Sequence, residues 1–137
     1  MGAGYDANAD GFRSGRSALR DVTLFDTIRQ RVGRAGELTL PDRLPVNLLN
    51  HGQAKRIDRP SAMLIHAGGE ALGQAGWQIG GAGRVPMILG TSAGSMQIGE
   101  DYFRQSVEHP EVRGGQATRV WQYQTQTQAR NLADAFG

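Results

Sequence analysis

One stretch constrains the fold more than any other. Residues 85–89 (VPMIL) form a short, uninterrupted apolar run, and Gly90-Thr91-Ser92-Ala93-Gly94 follows it directly. A segment with helical spacing comes next. A strand apolar on both faces belongs between covering layers and needs paired neighbours. The rest of the chain barely supplies them, because helical patterns outnumber strand patterns. The class this predicts is α/β, with an incomplete sheet.

Composition narrows the function. With 137 residues the chain holds at most one ordinary domain. Its 20 glycines are about twice average usage and follow no repeat. They belong to turns and points of close packing. Fifteen basic residues face thirteen acidic ones, for a net charge of +2. The arginines are dispersed among acids rather than clustered, so nucleic-acid binding is not expected. There is no cysteine, which excludes disulfides and thiolate metal sites. His51, His66 and His109 lack the close spacing of zinc ligands, and no metal or cofactor is expected. His66 falls mid-helix, where packing or solvent contact is its ordinary role. No apolar run approaches the roughly 18 residues of a membrane span. The opening MGAGYDANAD lacks a basic, then apolar, leader. A cytoplasmic protein is expected.

Local patterns give the following elements. Residues 11–19 (GFRSGRSAL) read as a short helix ending in a loop. Residues 21–36 mix a short apolar patch with charge, and 38–45 (LTLPDRLP), with two prolines, read as extended loop. Residues 46–53 are ambiguous. The strongest helix is 59–75, with Asp58 ahead of it and Pro60 in the first turn. Ala62, Ile65, Gly69 and Leu72 share one face. Gly68 and Gly69 each cost about 1 kcal/mol against Ala, which points to another backbone packed close by. Gly76 ends this helix and Trp77 anchors its exit. Residues 80–84 are a turn, 85–89 a buried strand and 95–107 a second helix ended by His109-Pro110. Residues 113–116 are loop. Residues 121–128 (WQYQTQTQ) alternate like a strand, and 127–136 have helical spacing with Gly137 as cap.

GTSAG fits the G-x-S-x-G elbow, in which a strained strand-to-helix turn exposes a nucleophilic serine. Ser92 is then the candidate nucleophile of an acyl hydrolase. Such a serine needs a base within hydrogen-bond reach. The motif resembles the elbow of patatin-like lipases, which pair Ser with Asp in an Asp-Gly context. Here Asp101 and Asp134 follow Ser92, and neither precedes Gly. The alternative is a purely structural turn.

Several separate segments, in order, resemble another family. Residues 15–19 (GRSAL) look like an early G-x-S-A/G-I/L loop. Residues 56–61 (RIDRPS) are similar to an R-x-D-R helix start, and 70–77 (EALGQAGW) to that helix's exit. Residues 87–94 match a strand with its G-T/S-x-x-G turn, 99–104 (GEDYFR) the following helix, and 128–137 a helix ending in Phe-Gly. In this order they resemble the N-terminal part of the β-ketoacyl-acyl-carrier-protein synthases, condensing enzymes of the thiolase fold. The resemblance spans nearly all of residues 1–137.

The resemblance implies a partial thiolase-like layered fold in which residues 1–137 are the N-terminal part of a synthase-like domain. The family's first strand would precede Met1, and its catalytic Cys, two His and a Lys would lie beyond Gly137. The function implied is therefore that of an acyltransferase fragment from fatty acid or polyketide synthesis, inactive alone. Its implied partners are an acyl carrier protein and a second subunit, in a homo- or heterodimer. Ala93 is implied to line the acyl tunnel, and Thr125 and Gln126 to lie near the partner subunit's pocket; the alternative is that all three are ordinary turn and surface residues. A non-catalytic, chain-length-type subunit is a further alternative. A sheet lacking its neighbours also implies exposed edges and a chain that is poorly stable or associates.

Overall fold

The computed structural model describes residues 4–81, 83–92, 94–112, 114 and 116–137. Two compact units are present, Met1–Pro41 and Asp42–Gly137. Among the described residues most regular structure is helical, and the one sheet is a two-stranded antiparallel ribbon.

In the first unit, α1 spans Tyr5–Arg13. Gly15, at φ +63°, ends it. Its N–H bonds to the Phe12 carbonyl at 3.1 Å, and the Arg16 N–H reaches back to the Gly11 carbonyl at 2.9 Å. This is a Schellman stop, which requires the left-handed conformation that glycine adopts freely. The helix expected within 11–19 therefore starts six residues earlier, and Gly15 closes it.

The ribbon follows. Strand β1 (Arg20–Asp21) pairs with β2 (Arg34–Ala35), placing Arg20 opposite Ala35 and Asp21 opposite Arg34. Glu37 ties the ribbon to the loop between its strands. Its carboxylate accepts from the Thr23 hydroxyl at 2.7 Å, the Thr23 N–H at 2.8 Å and the Leu24 N–H at 3.3 Å. Arg20 stands 3.5 Å away. The Thr23 hydroxyl, then the Thr23 and Leu24 N–H groups and the Arg20 charge, hold the Glu37 pKa below its ordinary value of 4.5 against the opposing effect of desolvation.

The second unit opens with residues 46–50 in an irregular path that leads into α2 (His51–Ala54). The side chains of Asn50 and Gln53 form a reciprocal capping box there. Helix α3 (Arg59–Gln74) starts as its sequence dictates: Asp58 accepts from the Ser61 N–H at 3.2 Å, and Pro60 occupies the first turn. It stops at Gly76 (φ +67°), where the Trp77 N–H bonds the Leu72 carbonyl at 2.9 Å. Helix α4 spans Met96–Glu108, α5 Gln116–Tyr123 and α6 Gln126–Phe136.

Helix α3 packs on α6, and α4 on α5. Ile65 of α3 and Ala135 of α6 are fully buried. The paired glycines of α3 receive a ring rather than a backbone. A Cβ on Gly68 would stand 2.8 Å from Cε2 of Phe136, and one on Gly69 would stand 3.3 Å from Pro45. The close partners at these glycines are thus side chains, Phe136 at Gly68 and Pro45 at Gly69.

Two expectations fail here. Residues 121–128 do not form a strand; they complete α5 and begin α6. Helical spacing sends Val120 and Tyr123 together toward α4, where Tyr123 lies against Gly99 at a distance no Cβ would allow. Residues 85–89 do not form a buried strand either. Residues 83–90 run without turn or bend, and their backbone makes no hydrogen bond to another described residue. Val85, Met87 and Ile88 are exposed, Ile88 completely. A strand is defined by its partners, and no other described segment pairs with this one. The α/β class survives only as helices plus a short ribbon.

Candidate functional site

The residues that the structure brings together most tightly lie at the starts of α3 and α4 and on α6. Ser95 precedes α4 but its side chain does not cap that helix. Its hydroxyl donates to the Asp58 carboxylate, the cap of α3. The Gln128 amide sits on the other side, 2.9 Å from Ser95 Oγ. In the orientation that satisfies both its ends, Gln128 accepts from the Ser95 N–H at 3.0 Å and donates to the Thr125 carbonyl at 3.0 Å. One turn further on, Asn131 donates to the Ser61 hydroxyl at 2.9 Å. Ser61, Ser95 and Gln128 are essentially inaccessible, at 0%, 2% and 1% exposure.

Burying polar groups is unfavourable unless they are paired. Here Asp58, Ser95 and Gln128 satisfy one another, so the network fixes how three chain segments meet. Asp58 and Ser95 also make a close Ser–carboxylate pair, but Ser95 is sealed from solvent. That geometry suits a structural tie rather than a nucleophile.

Ser92 lies outside this network. It is exposed and makes no hydrogen bond to another described residue. Its turn is closed instead by Thr91, whose hydroxyl accepts from the Gly94 N–H at 3.0 Å. Helix α4 begins only at Met96, so Ser92 stands four residues ahead of the helical N–H groups that an elbow serine faces. Ala93 lies outside the described residues. Thr125 and Gln126 are exposed at the start of α6. The turn is nevertheless their neighbour: a Cβ on Gly94 would stand 3.5 Å from the Gln128 amide and 3.9 Å from the Thr125 methyl. Of the expected site residues, Thr125 is therefore placed beside the turn, and the Gln126 side chain bonds only to Gln124. His51 and His109 are exposed, and His66 is half-buried on α3 with its Nε2 unpartnered. Among the described residues no group of three or more metal-ligating side chains forms.

A cleft of 540 Å3 lies beside the network. Lys55, Arg56, Arg59 and Arg119 line it together with Asp58, Asp101 and Gln122. Four cations against two carboxylates give it a positive balance. Arg119 donates to the Gln105 amide oxygen. Between α4 and α5 lies a second, apolar groove, lined by Met96, Phe103, Val107, Val120 and Tyr123.

Sequence reasoning missed Gln128, Asn131 and the basic cleft. The available signal was a polar residue on an apolar helix face: Gln128 is seven residues, two helical turns, before the buried Ala135. No helix of the described residues is long and apolar enough to cross a membrane. Comparison with protein-family models, curated proteins and solved structures gives no match.

Proposed function

We propose that the chain is the N-terminal part of a β-ketoacyl-synthase-like condensing protein, in which it serves as a packing and partner-binding part rather than as the catalyst. One observation carries this reading. Two of the segments on which the resemblance rests, RIDRPS and the helix ending in Phe-Gly, lie far apart in sequence and meet in one network: Asp58 and Ser61 from the first, Gln128 and Asn131 from the second, joined by Ser95 just past the glycine turn. Phe136, from the last of these segments, also fills the space left by the paired glycines of α3.

The reading fixes what the chain does not do. Condensation needs a thiolate to take the acyl group, and none of the 137 residues is cysteine. What the chain offers is the basic cleft beside the network, suited to an anionic partner such as an acyl-loaded carrier protein. The thiolase-type layering and the dimeric, cytoplasmic setting belong to this same proposal.

The test combines a condensation assay with a serine-directed probe. The purified chain is supplied with acyl and malonyl carrier protein, and separately with a fluorophosphonate. The expected result is no condensation and no labelling. Condensation by this chain alone refutes the reading. Labelling lost in Ser92→Ala replaces it with a serine acyl hydrolase.

A further inference from the structure

We propose that the loop of residues 22–33, which joins the two strands of the ribbon, is a membrane-surface element that inserts its apolar side chains into the interface of an anionic lipid bilayer. The loop lies outside every segment on which the synthase resemblance rests, so the inference goes beyond that reading and stands without it.

The loop is closed on itself. At its base the Val22 N–H bonds the Gly33 carbonyl at 2.9 Å. The Glu37 carboxylate takes the N–H groups of Thr23 and Leu24. Asp26 accepts from the Ile28 N–H at 2.9 Å, and the Thr27 carbonyl accepts from the Gln30 N–H at 2.9 Å. The Thr27 side chain turns back to the base, where a Cβ on Gly33 would stand 3.3 Å from its hydroxyl. Each N–H bonded in this way need not be stripped of water when the loop enters an apolar phase.

The side chains are sorted the opposite way from an ordinary surface loop. Thr27 and Glu37 are half-buried, whereas Leu24, Phe25, Ile28 and Val32 face outward, at 58%, 61%, 85% and 69% exposure. Single exposed apolar side chains are normal, but a group of them on one ordered loop marks a surface that something covers. The charge says what covers it. Residues 16–34 carry five arginines against two aspartates. Arg20 and Arg34 are paired within the ribbon, with Glu37 and Asp21. Arg29 and Arg31 alternate with Ile28 and Val32 and make no ion pair with a described residue. Their long stems can lie along inserted apolar groups while the guanidinium heads reach lipid phosphates. Apolar side chains interleaved with cations are what an anionic bilayer surface selects. Asp26 is the one carboxylate on the loop, and one of its oxygens is engaged by the Ile28 N–H. A nucleic acid would use the arginines but leave Leu24, Ile28 and Val32 in water, and Phe25 is the one aromatic ring on the loop for a base to stack on. A single loop of this size gives weak, reversible attachment.

The test is flotation of the full 137-residue chain with phosphatidylcholine vesicles, with and without phosphatidylglycerol. The expected result is binding to the vesicles that contain phosphatidylglycerol, weakened by salt. Ile28→Ser removes the most exposed apolar side chain of the loop and weakens binding by about tenfold or more. Arg29→Gln and Arg31→Gln weaken it by about fivefold each. Phe103→Ser, on α4 of the second unit, leaves it unchanged. All four side chains are exposed, and far-UV circular dichroism checks that each variant keeps its helices. Because the chain has no cysteine, Phe25→Cys carries a polarity-sensitive fluorophore at one position. Its emission shifts to the blue with vesicles, and that of a label on Phe103→Cys does not. A wild-type chain that does not float with the vesicles overturns the proposal. So does binding lost equally in Phe103→Ser, which assigns it to the α4–α5 groove. Dependence on Arg29 and Arg31 without dependence on Ile28 also overturns it, and retention of a DNA duplex by the same arginines would then assign the loop to nucleic acid.

Discussion

Glycines 68 and 73 stand five residues apart on α3, and only one of them is required. A Cβ at Gly68 would collide with the Phe136 ring, whereas one at Gly73 meets nothing within 4 Å. Ala favours a helix interior over Gly by about 1 kcal/mol. Gly73→Ala should therefore stabilise the chain by up to that amount, and Gly68→Ala should destabilise it despite the same helical gain. Urea midpoints that move the same way for both variants would show that Phe136 does not fill that space. Ser95 makes a comparable contrast with Ser92. Ser95→Ala strips a partner from the half-buried Asp58 and from the buried Gln128, at a cost of about 1–3 kcal/mol. Ser92→Ala, at an exposed turn, should change stability by less than about 0.5 kcal/mol.

At the scale of elements, the ribbon of the first unit depends on one carboxylate. The folded-state pKa of Glu37 is lowered, chiefly by the Thr23 hydroxyl. The stabilisation it confers is thus complete above its ordinary value of 4.5 and is lost as pH falls through the lower folded value. Protection of the Thr23 and Leu24 amides, taken against the intrinsic exchange rate at each pH, should fall on acidification in that window. Glu37→Gln should give the low protection already at neutral pH and remove its acid dependence.

The same scale shows what could be read in advance. Helices α3, α4 and α6 were legible because each carries its own local signals: Asp58 with Pro60, Ser95 at a helix start, and Gly76 or Gly137 at an end. Residues 85–89 and 121–128 were misread as strands because alternation and apolarity describe what a strand needs, not whether a partner exists. The helix-then-loop reading of residues 11–19 holds only in that α1 ends there, at Gly15, whose left-handed φ makes the stop. The site was legible only in fragments. Asp58 is legible as a cap and Ser95 as the start of a helix, but their mutual bond spans 37 residues and depends on how α3 and α4 pack. Thr125 and Gln126 are expected near a partner subunit's pocket; within the chain Thr125 lies beside the glycine turn, and the inward-facing Gln128 carries no local signal of its role.

For the molecule as a whole, the balance of buried and exposed apolar side chains is unusual. Among the described residues the buried apolar side chains are Ile65 and Ala135, and four of the buried residues are polar. Phe12, Phe25, Ile28, Phe103 and Val107 are among the large side chains facing solvent. Exposed apolar area on this scale marks surfaces that other chains cover. Thermal unfolding should therefore be broad and weakly cooperative, and a sharp two-state calorimetric transition in a clean monomer would contradict that.

The central claim is that this is a partner-binding part of a condensing protein, and a titration with acyl-loaded carrier protein tests it most directly. Backbone amide signals of the labelled chain are followed as carrier is added. The account predicts shifts grouped around the basic cleft, at Arg56, Arg59, Ile98 and Arg119, that weaken with salt and with Arg56→Glu. Saturating carrier that moves none of these signals, or that acts equally on the Arg56→Glu chain, would contradict it.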